Sequence, residues 1–338
     1  MNVVIGWDIG GVHLKAARAE GGCITKVMQY ASPLRGGTER LVEALAAARA
    51  AMGRADRHVV TMTGELADTF ASRADGVEYL AALAERELGT VSIYAGSAGH
   101  VRPDDARHHI RDIASANWHA VAALIARRCQ AALFIDLGST TTDIVPIVGS
   151  KIAARGYTDA ERMVAGELVY TGLVRGFVMA TASRAPFRGA WMPLINENFA
   201  AMADVHRILG TLPAGVDLMA TADGRDKSVE ASRARLARML GSDASDADDE
   251  TWTAVARWFA EAQLRAIADA ASLVLSSDTR LATAPIVAAG IGVDVIAEVA
   301  GRLGRACITF DTLIDVTAEE RVAACRCAPA AAVALLAF

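Results

Sequence analysis

Apolar positions along this chain fall into two series that begin in the same way. Val3-Val4-Ile5-Gly6-Trp7 runs into Asp8-Ile9-Gly10-Gly11, and a further apolar run opens at Val12. Leu133-Phe134-Ile135 runs likewise into Asp136-Leu137-Gly138, followed by Ser139-Thr140-Thr141-Thr142-Asp143 and a run from Ile144. Two strands joined by such a turn make a hairpin with little side-chain bulk at its tip. After the first hairpin the pattern predicts a strand over Cys23–Tyr30, a helix over Thr38–Met52, and a strand over His58–Thr63. A helix over Val77–Leu88, a strand over Val91–Tyr94 and a helix over Ile113–Cys129 follow.

The series restarts at Ala131, with a third strand near Lys151–Gly156 and a short helix over Glu161–Gly172. Regular alternation lapses between Arg184 and Asp249, a stretch holding Pro186, Pro193 and Pro213, an amphipathic segment Glu197–Leu209 and a charged helix Ser228–Leu240. A long helix over Thr251–Leu275, a buried strand over Pro285–Gly292, a helix over Val293–Leu303, a strand over Ala306–Phe310 and an Ala-rich terminal helix close the chain. The expected fold is α/β: two subdomains around a central cleft, 1–130 and 131–338, with a helical insertion at about 184–250 in the second. That insertion reads either as a lid beside the substrate or as a surface excursion without a role.

Composition narrows the function. At 338 residues the chain exceeds the size of one growing core, which agrees with two subdomains. A net charge of −5 argues against a nucleic-acid partner, since such proteins carry a basic face. Backbone donors and a bound cation still allow a phosphorylated substrate. Mean hydropathy is +0.28, but alanine supplies it and the run Ala328–Phe338 is too short to span a bilayer, so no membrane association is expected. The N-terminus reaches Asp8 without a basic stretch, so no signal peptide and a cytoplasmic location are expected. Cys23, Cys129, Cys307, Cys325 and Cys327 are scattered and read as reduced thiols, and no histidine has metal-ligand spacing.

The candidate chemistry lies at the repeated turn. Asp8 and Asp136 can each hold a cation against a phosphate, while Gly10, Gly11, Gly138, Ser139 and Thr140 offer small or hydroxyl groups to its oxygens. One Asp-Gly turn alone is ordinary turn chemistry; two on matching frames suggest a duplicated phosphate cradle. Lys15 could cap a phosphate as a point charge or face solvent as a strand lysine. Glu65 follows a strand end and a glycine, where it either projects into the cleft or complements a helix N-terminus. Glu167 reads equally well as a surface acid. Glu197 and Asp204, with Asn196, would share a face if their segment is one helix, and a solvated charged face is the alternative.

Asp8 through Lys15, Asp136 through Asp143, and Ala288-Ala289-Gly290-Ile291-Gly292 resemble, in order, the two phosphate motifs and the nucleotide-side motif of the actin, sugar-kinase and heat-shock ATPase superfamily. That resemblance implies two ribonuclease-H-like halves, with Gly290 and Gly292 at the cleft. Thr61-Met62-Thr63-Gly64-Glu65, Ala116-Asn117-Trp118, Gly166-Glu167-Leu168 and Asn196-Glu197-Asn198-Phe199-Ala200 further resemble the hydantoinase/oxoprolinase branch, and within it small proteins linked to tetrahydromethanopterin-dependent one-carbon transfer. The group includes the archaeal enzyme of methanofuran biosynthesis. The resemblance implies condensation of an aminomethyl-furanmethanol diphosphate with the phenol of γ-glutamyl-tyramine, releasing diphosphate.

On that basis Mg²⁺ is the expected cofactor, held by Asp8 and Asp136, and ATP is not expected. Glu65 or Glu197 would take the phenol proton. The expected partners are a small-molecule diphosphate and a phenolic amine, and a homodimer stays open as the assembly. Two other readings stay open: an ATP-dependent hydantoinase-like hydrolase or small-molecule kinase, and a binding or regulatory protein that kept the cradle without the chemistry.

Overall fold

The computed structural model describes residues 2–338. The first half begins with strands β1 (Val3–Ile9), β2 (His13–Glu20) and β3 (Cys23–Ala31), helix α1 (Glu39–Met52) and strand β4 (Arg57–Met62). Helix α2 (Arg73–Leu88), strands β5 (Val91–Tyr94) and β6 (His100–Val101), and helices α3 (Ile110–Ile113) and α4 (Asn117–Ala126) follow. The second half repeats the opening with strands β7 (Ala131–Leu137), β8 (Thr142–Val148) and β9 (Lys151–Ile152), then helix α5 (Asp159–Ala165) and strand β10 (Leu168–Val169). Helix α6 (Val178–Thr181), the hairpin β11 (Arg184–Phe187) and β12 (Ala190–Pro193), and helices α7 (Met202–Ile208) and α8 (Val229–Met239) come next. The 27-residue helix α9 (Asp249–Leu275), strand β13 (Ile286–Gly290), helix α10 (Val293–Arg302), strand β14 (Cys307–Thr309), and helices α11 (Arg321–Arg326) and α12 (Ala328–Leu336) complete it.

The first sheet has the order β3-β2-β1-β4-β5-β6, with β1, β2 and β3 antiparallel and β4 and β5 parallel to β1 and to each other. The second has the order β10-β8-β7-β13-β14, with β9 also on β8 and with β13 parallel to both β7 and β14. Each half thus sets a hairpin beside parallel strands returned by helices, which is the ribonuclease-H-like arrangement, and the two together form the actin-like ATPase fold. Six of the seven β1 residues are buried because helices cover both faces of that sheet.

Two helices cross between the halves. Helix α12 packs on β1, β2 and β4 of the first sheet and against α4, which also contacts β8 and β9. The pair lies between the sheets, where Val4 and Ala17 of one sheet, Phe134 and Ile147 of the other, and Ala330 and Val333 share one core. Close approach explains the alanines: a Cβ at Gly6 would collide with the Ala330 carbonyl, so neither strand nor helix has room for a larger side chain there. The hydropathy carried by alanine is therefore spent in an inter-sheet seam. No helix among the described residues is long and apolar enough to cross a membrane.

Three local elements depart from the sequence pattern. The helix expected over Ile113–Cys129 is broken at Ser115, whose φ of 55° is outside the helical range. The helix expected over Glu161–Gly172 ends at Gly166, a left-handed cap, and Leu168–Val169 pairs with β8 instead. The segment Glu197–Leu209 is helical only from Met202, where Asp204 Oδ2 accepts from the Ala201 N–H. The stretch 184–250 also opens with the β11–β12 hairpin, turned by Arg188 and Gly189 at positive φ. It has its own core with α9, including Phe187 stacked on Trp252 with centroids 5.0 Å apart.

Candidate active site between the two hairpins

The repeated turns have the same backbone geometry. Gly10 N–H donates to the His13 carbonyl at 2.9 Å, and Gly138 N–H donates to the Thr141 carbonyl at 2.9 Å. In the first hairpin Asp8 stands directly across from Lys15, and in the second Asp136 stands directly across from Asp143. Both turns face one cleft of about 450 Å³, lined by Asp8, Gly10, Gly11 and Lys15 from one side and by Asp136, Gly138, Ser139, Thr140 and Asp143 from the other. The fold therefore brings together the whole cradle expected from the repeat.

Cross-strand partners make the two sides electrostatically different. Lys15 Nζ lies 3.4 Å from Asp8 Oδ2, and Asp8 is only 2% exposed. Burial pushes the Asp8 carboxyl above its ordinary range, against the pull of Lys15. Burial would lower Lys15, but Asp8, Cys327 and Asp136 outweigh it and hold the ammonium up at about 12. Asp136 has no such partner: burial raises it to about 7, Lys15 opposes the shift, and Asp143 and Asp8 add to it. Asp143 is also raised by burial, although Arg162 Nη1 donates to its Oδ1 at 2.8 Å.

The residues fit a divalent cation introduced together with a phosphate. Asp8 Oδ1 and the Ser139 hydroxyl are buried without a hydrogen-bond partner, and three carboxylates with raised affinity for protons share the cleft. Among the described residues no three His, Cys, Asp or Glu side chains converge as a preformed metal site.

A third wall comes from the break before α4 and from α5. Thr158 caps α5, its Oγ1 accepting from Glu161 N–H at 3.4 Å while Glu161 Oε2 accepts from Thr158 N–H at 3.1 Å. This start fixes Asp159 and Arg162, both of which line the cleft. Arg162 is buried, stacked 4.2 Å from the Trp118 ring, with Nη1 on Asp143 and Nη2 on the Glu167 carbonyl at 2.8 Å. Ser115, held at positive φ, lines the cleft and donates to Glu65 Oε1 at 3.0 Å. Glu65 is 1% exposed, burial raises its carboxyl, and its Oε2 has no partner. Glu65 therefore sits behind Ser115 and reaches the cleft through it.

Besides Glu65, six expected site residues lie outside the cleft lining, Gly290 and Gly292 among them. The Glu167 carboxylate accepts from the backbone N–H groups of Arg155 and Gly156 at 2.7 and 3.0 Å, so it fixes a loop. Asn196 and Glu197 are exposed in an irregular segment. Asp204 is buried, but its Oδ1 accepts from Arg235, Arg207 and Ser232, an ion network inside the insertion. Glu197 and Asp204 share no helix face, because α7 starts between them. None of the described residues from 184–250 lines the cleft, although the Asp217 charge acts on His13 at its edge and Gly210 to Pro213 line a second cavity with Gly290. Gly290 backs directly onto Asp136 at φ 86°, and Gly292 packs on the Leu137 side chain. Gly290 also opens onto a second cavity of about 560 Å³, between β13 and α11.

Sequence reasoning missed Asp143, Ser115, Asp159 and Arg162, as well as Arg35 and Arg175 at the cleft. Asp143 had a usable signal: it lies seven residues after Asp136, the spacing of Lys15 from Asp8. Ser115 and Asp159 had none, because tertiary packing alone brings them together.

The hydantoinase/oxoprolinase family profile matches residues 56–330, which cover more than half of the chain. The chain belongs to the hydantoinase/oxoprolinase family. The match includes the second hairpin and the Glu65 and Ser115 wall but begins after the first hairpin. Among curated relatives of this family member, the (4-{4-[2-(gamma-L-glutamylamino)ethyl]phenoxymethyl}furan-2-yl)methanamine synthase of Methanocaldococcus jannaschii is 30% identical over 250 residues, 73% of this chain and 74% of that protein. The synthase of the same name from Methanococcus vannielii is 33% identical over 111 residues, 33% of this chain and 50% of that protein. The nucleotide-free structure of acetone carboxylase superposes with a TM-score of 0.54 at 12% identity, covering 98% of this chain and 70% of that one, a likeness of fold.

Proposed function

We propose that this family member is an enzyme of methanofuran or methanofuran-analogue biosynthesis, joining an aminomethyl-furanmethanol diphosphate to a (γ-glutamyl)tyramine phenol. The observation that carries this reading is the likeness, over 73% of the chain, to a synthase whose product contains a phenoxymethyl-furan ether. Such an ether forms when the bond between the furan methylene and diphosphate oxygen breaks and its electron pair leaves with diphosphate. The phenol oxygen then bonds to the methylene carbon and gives up its proton.

The cleft supports each demand of that reaction. The Gly10-Gly11 and Gly138-Ser139 turns leave room for the diphosphate oxygens to approach, and the unpartnered Ser139 hydroxyl can donate to them. Mg²⁺ held by Asp8 and Asp136 would neutralise charge on the leaving group. A phenol has a pKa of about 10, so its proton needs an acceptor near neutral pH. Glu65 is that acceptor in this reading, acting through the Ser115 hydroxyl that already donates to it at 3.0 Å. The exposed Glu197 is not. The direct assay supplies synthetic furanmethanol diphosphate, γ-glutamyl-tyramine and Mg²⁺, and follows release of diphosphate and appearance of the ether. Absence of both products with folded protein ends the transferase reading.

A second reading, an ATP-dependent hydrolase or kinase, draws on the 560 Å³ cavity behind Gly290. Calorimetry with ATP and Mg²⁺ separates the two. Micromolar nucleotide binding supports the second reading, and no heat of binding supports the first.

A further inference from the structure

Four basic side chains line the cleft, and two of them are already engaged. Lys15 pairs with Asp8 at 3.4 Å and Arg162 with Asp143 at 2.8 Å. Arg35 and Arg175 are exposed, line the same cleft, and have no acidic partner within 4.0 Å among the described residues. Asp68 also lines the cleft, yet it pairs with neither.

Each of these two arginines is mounted on one of the repeated turns. The loop carrying Arg35 is tied to the first turn by Ser32 N–H donating to the Val12 carbonyl at 2.8 Å and Leu34 N–H donating to the Gly11 carbonyl at 3.0 Å. The loop carrying Arg175 is tied to the second turn by Leu173 N–H donating to the Gly138 carbonyl at 3.0 Å and Arg175 N–H donating to the Ser139 carbonyl at 2.8 Å. Gly172 makes that second approach feasible, since a Cβ there would strike the Ser139 carbonyl. The guanidinium of Arg175, whose residue is exposed, is nonetheless held below its ordinary range by partial burial and by the charge of Arg35. Two cations from opposite halves thus line one cleft near enough for their charges to interact, and neither is neutralised by an acidic partner within 4.0 Å.

We propose that Arg35 and Arg175 form a two-sided clamp for the diphosphate of the substrate. This assignment rests on the transferase reading for the identity of the anion. Guanidinium forks match phosphate oxygens in paired hydrogen bonds, and the like-charge repulsion between the two is relieved when an anion lies between them. The pair also supplies positive charge that the cradle lacks, because Lys15 and Arg162 are committed to carboxylates.

The test is calorimetric titration of the full chain with inorganic diphosphate and Mg²⁺. Arg35→Ala and Arg175→Ala are each expected to weaken binding about tenfold, and Arg35→Lys to restore part of the loss. Binding within twofold of wild type in both alanine variants, under conditions where Asp136→Ala has lost it, overturns the clamp. Unchanged diphosphate binding with weakened γ-glutamyl-tyramine binding also overturns it, and gives the pair to the acceptor's carboxylate. If the wild type binds no diphosphate, clamp and transferase reading fall together. Arginine-dependent diphosphate binding without turnover of the two substrates upholds the clamp and ends only the transferase reading.

Discussion

The two hairpins share a backbone but differ in what faces the aspartate. Both close with the same 2.9 Å turn bond, and both place Asp-x-Gly at the end of an apolar strand. Across from Asp8 stands a lysine; across from Asp136 stands a second aspartate, whose own partner is the buried Arg162. The first hairpin is therefore close to internally neutral. The second carries acid that burial drives toward protonation, with Asp136 titrating at about 7. A duplicated frame has thus become one side whose aspartate is paired with a lysine and one whose aspartate faces a second carboxylate.

If this asymmetry governs chemistry, the two aspartates are unequal. Asp136→Asn is expected to lower diphosphate-releasing turnover about a thousandfold, whereas Asp8→Asn, which frees the Lys15 ammonium to meet phosphate, lowers it about a hundredfold. Steady-state rates at saturating Mg²⁺ measure both. Equal losses would break the comparison, and loss at neither position would remove the cleft from the chemistry.

The second hairpin is also closed in from behind at Gly290, while the tip of the first is open at Gly11. A Cβ at Gly290 would enter Asp136 Oδ1 and the Leu137 carbonyl at a φ of 86°, but a Cβ at Gly11 meets nothing within 4 Å. Gly290→Ala is expected to cost about 3 kcal/mol in urea unfolding, combining steric clash with left-handed backbone strain. Gly11→Ala should stay within about 0.5 kcal/mol. Serine occupies the equivalent place in the other turn, Ser139. A tolerated Gly290→Ala would mean that β13 does not set the position of Asp136.

Stability against pH sharpens the same contrast. Asp136 titrates at about 7 folded against an ordinary value of 3.8, so the folded chain holds its proton over that window. Its contribution to stability is therefore present at low pH, declines as pH rises from about 4 to 7, and is gone above. Asp136→Asn should flatten that part of the profile. Lys15→Met should cost about 1–2 kcal/mol at pH 7, less than for a fully buried pair because the lysine is partly exposed. Urea midpoints across pH 4 to 8 report both, and an unchanged slope in Asp136→Asn would place the titration elsewhere.

Repetition and periodicity made the frame legible: the two hairpins, the strand after each, the long helix α9 and the glycine turn after β13 all follow from local pattern. Boundaries failed where a single residue overrides periodicity. Ser115 breaks a helix through a φ that serine rarely adopts, and Gly166 ends one whose apolar spacing continues. The cradle residues were readable because the turn needs glycine and small polar groups in a fixed order. The wall formed by Ser115, Asp159 and Arg162 was not, because those residues are far apart in sequence and meet only when α5 docks beside the break before α4. Glu65 was found at a strand end, but its place behind Ser115 belongs to packing.

Glu197 provides the smallest expected effect and the clearest limit on reading charge as function. A carboxylate near a helix and within a family-like motif looks like a base, yet it is exposed, outside the cleft and one segment short of α7. Asp204, its proposed neighbour, is consumed by Arg235 and Arg207, and that buried network serves the insertion's own core. Glu197→Ala should therefore change turnover less than twofold and stability by less than about 0.5 kcal/mol. Asp204→Ala should instead cost about 2–3 kcal/mol by removing one of the two carboxylates paired with buried Arg235, the other being Asp223, with any activity loss following the loss of folded protein. A tenfold fall in turnover for folded Glu197→Ala would return the insertion to the active site and show that the cleft closes in a second conformation.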